Sequence, residues 1–172
     1  MRGKQWKCLS GEAPKESFYL VQKYEKQTRY VISLQSPEDA LLLLYNFIRK
    51  SRYLDLKIRD MDNNENPTDY VGMLGRKKLL VILEKNEDIL LGNVFFEFMA
   101  KNSRTGEYIV FDDHGLLFIY SNKDYASFIE QVDVSRNDEA KLIYEYNHWH
   151  NGPAGHREAL QHFIKELEMH EE

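Results

Sequence analysis

Two apolar runs, Glu107-Tyr108-Ile109-Val110-Phe111 and Leu116-Leu117-Phe118-Ile119-Tyr120, are separated by only four residues, Asp112-Asp113-His114-Gly115. Both runs are rich in strand-favouring side chains, and Asp with Gly between them is turn chemistry. A link this short forces the two strands antiparallel, because a parallel crossover needs a dozen residues or more. Residues 18–22 and 29–34 repeat the arrangement around a polar stretch at 23–28. Tyr53-Leu54-Asp55-Leu56-Lys57-Ile58-Arg59-Asp60 alternates apolar and polar. That period predicts a half-buried strand with Leu54, Leu56 and Ile58 facing the core.

Helical signals lie between these strands. Ser36-Pro37-Glu38-Asp39 supplies a capping hydroxyl, a proline at the first helical position and two first-turn acids. A helix is therefore predicted over 37–50, with Arg49 and Lys50 at its negative end. Leu160, Phe163, Ile164 and Leu167 form a stripe that predicts a helix over 156–169, after a turn at 151–155. A short helix is predicted over 125–132, begun by Asn122 or Asp124. Leu91, Val94, Phe95, Phe98 and Met99 predict a helix over 90–101, and the unbroken run Leu79-Leu80-Val81-Ile82-Leu83 predicts a strand covered on both faces. Residues 61–68 read as a surface loop, and 142–150 fit strand or helix equally. With no regular βαβ spacing, no repeat and no linker, the expected fold is one α+β domain over 1–172: a largely antiparallel sheet with helices packed on one face.

Composition narrows the function classes. Four Pro and nine Gly in 172 residues exclude a collagen-like chain. No apolar run approaches the ~20 residues that span a bilayer, and no apolar stretch follows the basic N-terminus, so neither a membrane span nor a secretory signal is expected. Cys8 stands alone. No internal disulfide can form, and a reducing cytoplasm is the expected setting. The formal charge of -5 argues against nucleic acid as the partner. That charge is uneven: residues 124–172 hold eleven acids against four bases, whereas 1–123 is slightly basic. An acidic face of this kind attracts a basic protein.

Catalytic motifs are sparse. No G-x-S-x-G elbow is present, and Asp112-Asp113-His114, which offers a carboxylate pair with a general base or a metal ligand, is read first as turn chemistry because Gly115 follows it. Gly72-Met73-Leu74-Gly75-Arg76-Lys77-Lys78 lacks the spacing of a phosphate loop, and with Arg49, Lys50 and Arg52 it makes at most a local basic patch. Histidine is more suggestive, because five of the six fall in the last 25 residues. On a strand, His148 and His150 share a face about 7 Å apart. That spacing suits two imidazoles on one transition metal ion, with His156 as a third ligand from the following turn.

In type, the chain resembles the bacterial immunity proteins that neutralise cognate toxins, including those of contact-dependent inhibition systems. The likeness lies in length, acidity, a single Cys and the absence of a catalytic constellation. Phe111-Asp112-Asp113-His114-Gly115-Leu116-Leu117-Phe118 and Trp149-His150-Asn151-Gly152 are the segments on which an alignment would start. The resemblance implies a toxin, commonly a nuclease, whose basic cleft the acids would fill. Asp133, Asp138, Glu139 and Glu145 are the expected acids, with Tyr144, Tyr146 and Trp149 as aromatic anchors. This first reading needs no enzyme activity and no cofactor. The alternatives are a non-catalytic regulatory or structural subunit, and a metal-dependent hydrolase using His148, His150 and His156.

Overall fold

The structure is a computed structural model that describes residues 9–62, 65–92 and 95–172. After β1 (Leu9–Gly11), the first hairpin pairs β2 (Phe18–Lys23) with β3 (Thr28–Ser33). Ser36 then opens α1 (Pro37–Arg49), its Oγ accepting from the Asp39 amide at 3.1 Å and satisfying one orphan donor of the first turn. β4 (Tyr53–Asp60) and β5 (Thr68–Gly75) form the second hairpin, in which Arg59 and Asp69 stand opposite each other and pair through two hydrogen bonds. α2 (Arg76–Lys85) and α3 (Glu87–Leu91) follow, then β6 (Phe96–Asn102), β7 (Tyr108–Phe111) and β8 (Leu116–Ser121) as a meander. The chain closes with α4 (Ala126–Ile129), β9 (Ser135–Arg136), a single 3-10 turn at Ile143–Glu145, β10 (His148–His150), α5 (His156–Glu166) and β11 (His170–Glu171).

Nine strands make one sheet in the order β11-β5-β4-β6-β7-β8-β3-β2-β9, antiparallel except where β9 runs parallel to β2. β1 and β10 form a separate antiparallel pair. One face of the large sheet carries the main core. There Leu54, Leu56 and Ile58 of β4, Phe98 of β6 and Ile119 of β8 join buried residues from all five helices. The expected α+β architecture, an antiparallel sheet with helices on one face, is present. The opposite face holds a smaller cluster, where Ile143 covers Phe18, Leu20, Val31 and Leu116. Among the described residues, no helix is long and apolar enough to cross a membrane.

The structure corrects two elements read from the sequence. The run Leu79–Leu83 lies inside α2, where Leu79, Ile82 and Leu83 are buried at helical spacing while Val81 points to solvent, 65% exposed. A five-residue apolar run is compatible with a buried strand or one helix face, and length decides between them. The helix expected over 90–101 is instead the end of α3 and the strand β6, with Phe96, Phe98 and Ala100 inward at period two. Of the residues that suggested that helix, Val94 lies outside the described residues. Residues 142–150 divide between the 3-10 turn and β10, so neither uniform alternative applies.

The helical placement of 76–85 makes a mutational distinction that a two-sided strand would not. Leu79→Ala should cost about 2–5 kcal/mol in urea unfolding. Val81→Ala should stay within about 0.5 kcal/mol. Similar losses at both positions would contradict the helix.

Candidate metal centre

The β7–β8 turn is built around Asp112, which is 2% exposed. Its Oδ1 accepts from the amides of His114 at 3.0 Å and Leu116 at 2.7 Å, the local bonding for which turns select Asp. Gly115 follows at φ 72°, a conformation that favours glycine. The turn therefore has a fixed shape, and it aims the His114 ring away from the hairpin toward β10.

β10 presents His148 and His150 on that side, with Trp149 between them turned outward and 64% exposed. Its backbone is held by β1, with Gly11 opposite His148 and Leu9 opposite His150. Gly11 has φ 113°, and a Cβ there would lie 2.3 Å from the Asn147 carbonyl oxygen, so only glycine allows this approach.

The three rings meet through their Nε2 atoms. His114 Nε2 lies 3.1 Å from His148 Nε2 and 3.2 Å from His150 Nε2. The ligand atoms of all three lie within 4.8 Å of one another. The far sides of the rings show which nitrogen carries hydrogen. His148 Nδ1 is 2.9 Å from the Tyr146 carbonyl, to which it donates. His114 Nδ1 is 2.7 Å from Asp113 Oδ1, and Asp113 Oδ2 is 3.7 Å from His150 Nδ1. In the neutral imidazole a proton on Nδ1 leaves a lone pair on Nε2. A neutral His114 would thus turn a lone pair toward that of His148 at 3.1 Å, and a cation satisfies both nitrogens there, either the Nε2 proton of a charged His114 or a metal ion in its place.

A transition metal ion fits that requirement. With Zn–N bonds of 2.0–2.1 Å in tetrahedral geometry, two ligand nitrogens stand about 3.3 Å apart. The two separations from His114 Nε2 are 3.1 and 3.2 Å. A carboxylate or carbonyl behind a ligating imidazole is the usual supporting layer of such sites. Charge agrees with geometry. Burial alone would lower the pKa of His114, but hydrogen bonds to Asp112 and Asp113 and their charges outweigh it and raise it to about 9. Glu97 is pushed above the usual carboxylate range by burial, then by the negative charge of Asp112 and Asp113. The surroundings of the three rings favour a cation.

Tyr144 closes the site from the 3-10 turn. Its hydroxyl donates to Asp112 Oδ2, and its ring meets His114 edge-on at 4.4 Å between centroids. Burial and the adjacent Asp112 charge hold the hydroxyl protonated far above its ordinary range.

Of the histidines expected as ligands, the structure brings His148 and His150 together but places His156 elsewhere. His156 stacks on Phe95 at 4.5 Å and lies 3.5 Å from Asp62. His114 occupies the third position. The sequence offers His114 as a base or ligand only together with Asp112 and Asp113 of its own turn, and nothing local reveals that residues 112–115 and 148–150 meet. Cys8 lies outside the described residues. The expected partner-binding acids are all exposed, yet two are engaged internally: Asp138 pairs with Arg136 and accepts from the Val21 amide, and Glu145 accepts from the Leu142 amide. Asp133 and Glu139 carry no side-chain bond or ion pair among the described residues. Tyr146 is half-buried, and Tyr144 is 49% exposed although its hydroxyl turns inward.

Removing the Asp112 carboxylate should separate turn shape from metal binding. Asp112→Ala strips acceptors from two amides and a hydroxyl and should destabilise the metal-free chain by about 2 kcal/mol or more, read by thermal or urea unfolding. Asp113→Ala removes the acceptor of the single His114 Nδ1 bond and should cost the metal-free chain less than Asp112→Ala does. Set against known protein families, curated proteins and solved structures, the chain matches none, and the reading of this centre rests on its geometry.

Proposed function

We propose that this chain is a metal-binding protein in which His114, His148 and His150 hold one divalent ion of the zinc class through Nε2. The convergence of three imidazole Nε2 atoms on one point, with their opposite nitrogens facing a carboxylate or a carbonyl, carries this reading. Three nitrogen ligands suit Zn²⁺, and also Co²⁺, Ni²⁺ or Cu²⁺, whose relative affinities follow the usual order for divalent ions.

The ion would lock a weakly anchored part of the chain. Between Ile143 and Leu160 no side chain is buried, so this stretch lacks an apolar core of its own. Most of its ties are polar, namely the β1 ladder, the Tyr144–Asp112 bond, the Arg157–Asp62 pair and the bond from Asn151 to Ser10 Oγ at 2.8 Å, beside the ring contacts of Tyr144 with His114 and of His156 with Phe95. Where apolar burial is small, ligand bonds to a metal supply folding energy directly. A three-histidine set also leaves a fourth tetrahedral position, the arrangement by which hydrolytic sites activate water.

A second reading, the inhibitor of a basic protein, rests on a separate observation. Asp133 and Glu139 stay exposed with no side-chain partner among the described residues, and Trp149 projects from the strand that bears two of the ligands. The two readings are compatible, since an ion that fixes β10 also fixes Trp149.

Metal analysis and zinc titration of the chelator-treated protein test the first reading. One ion per chain should bind, and zinc at 100 times Kd should add about 2.7 kcal/mol of stability. Alanine at His114, His148 or His150 should abolish stoichiometric binding. Asp113→Ala should weaken it by about 10–100-fold, and His156→Ala should leave it unchanged. Affinity should fall as pH is lowered, because each imidazole must shed its proton to bind. Undiminished loading of His114→Ala would remove the proposal.

A further inference from the structure

A second constellation lies at the other end of the sheet. Three chain reversals meet there: the α1–β4 link, the β5–α2 junction and the β6–β7 turn. The register brings them together, since Tyr53 pairs with Gly75 and Leu54 with Asn102. Between them is a cleft lined by Lys50, Ser51, Arg52, Tyr53, Arg76 and Arg104, among others. Lys77 and Lys78 line an adjoining depression.

Four cations border the cleft, and none of Lys50, Arg52, Arg76 and Arg104 forms a salt bridge among the described residues. Asp55, bonded to Ser103 Oγ at 3.0 Å, and Glu107, bonded to Thr105 Oγ1 at 2.9 Å and paired with Lys123, are nearby carboxylates, and both are already engaged. Part of the positive charge has a local purpose. Arg76 Nη1 donates to the Arg49 carbonyl at 2.8 Å and so caps the end of α1. Arg52 and Arg104 have no such duty. Arg104 stands on a turn shaped by Asn102, whose Oδ1 accepts from the amides of Arg104 and Thr105 at 2.9 and 3.1 Å.

Two further features point to an anion. α2 begins at this cleft directly after a strand, with Gly75 before it, no side chain capping its amides and no acid in its first turn. A helix start of that kind favours negative charge. Independently, Ser51 lines the same cleft, is 2% exposed, and its Oγ has no hydrogen-bond partner. A buried hydroxyl without a partner is costly unless a ligand supplies one. The segment 72–78, which as sequence seemed to precede a strand, in fact has the strand-to-helix context in which phosphate is bound.

We propose that this cleft binds the phosphoryl groups of a nucleotide, with Arg52, Arg76, Arg104 and the Ser51 hydroxyl around the phosphates and Tyr53 beneath the base, while the Lys50 ammonium stays over the Tyr125 and Phe128 rings at 4.4 and 4.1 Å. Tyr53 is 50% exposed, and although the Arg52 guanidinium lies over its ring, 5.4 Å from the centre, the exposed part of the ring is the surface on which a base would stack. A single cleft on a chain of charge -5 suits a small anion better than a long polyanion, which needs many phosphate contacts.

Calorimetric titration of the full chain with ATP, AMP and pyrophosphate tests this. ATP should bind at one site, more tightly than AMP or pyrophosphate, and more weakly as salt rises. The double variant Arg52→Gln/Arg104→Gln, which leaves the α1 cap intact, should lose about tenfold or more in ATP affinity, and Ser51→Ala should lose less. His114→Ala should bind ATP as the parent does, which separates this cleft from the histidine centre. No saturable binding of any probe, or unchanged affinity in the double variant, would overturn the proposal. Pyrophosphate binding as tightly as ATP would overturn the assignment of a nucleotide.

Discussion

One buried carboxylate, Asp112, connects the parts of this molecule on which its chemistry depends. One of its oxygens shapes the β7–β8 turn by accepting from two backbone amides, and the other receives the Tyr144 hydroxyl from a segment 32 residues away. The turn could exist without Tyr144, and the 3-10 turn could pack through Ile143 alone. Joined through Asp112, they bring the His114 ring to the strand that carries His148 and His150. Neighbouring Asp113 then faces His114 and His150 with its two oxygens, setting both rings by their outer nitrogens. These contacts set the three rings side by side, and under the proposed function the ligand bonds would secure the weakly anchored strand that carries two of them.

The two ends of the sheet have opposite electrostatic character. β7 runs between them. At one end Glu97, Asp112 and Asp113 surround imidazoles, and at the other Lys50, Arg52, Arg76 and Arg104 surround a cleft. This separation differs from the one suggested by charge along the chain, where the acids concentrate after residue 124. Chain position predicts spatial charge only where a segment stays on one side of the fold. Here acids of β6 and of the β7–β8 turn, from the nearly neutral part of the chain, create the negative end.

Legibility in the sequence followed the range of the interactions. α1 was readable because Ser36, Pro37 and Asp39 act within one turn, and β4 because its alternation is undisturbed over eight residues. The β7–β8 hairpin was readable from Asp112 to Gly115 for the same reason. α2 and β6 were misread where a short apolar run satisfies two periods at once, and where Gly92 ends α3 just before the period changes. At the site, the shared face of His148 and His150 follows from strand geometry and was legible. The place of His114 beside them was not, because His114 and His148 meet only through tertiary structure. His156 was the natural guess by chain proximity, but Gly155, at φ 75°, turns the chain into α5 and takes His156 to Phe95.

The most direct test of the central claim is X-ray absorption at the zinc edge of the zinc-loaded protein. The account predicts three imidazole nitrogens at 2.0–2.1 Å, with one imidazole contribution lost in each of the His114, His148 and His150 alanine variants. A shell dominated by oxygen, or a parent-like imidazole shell in the His114 variant, would contradict it.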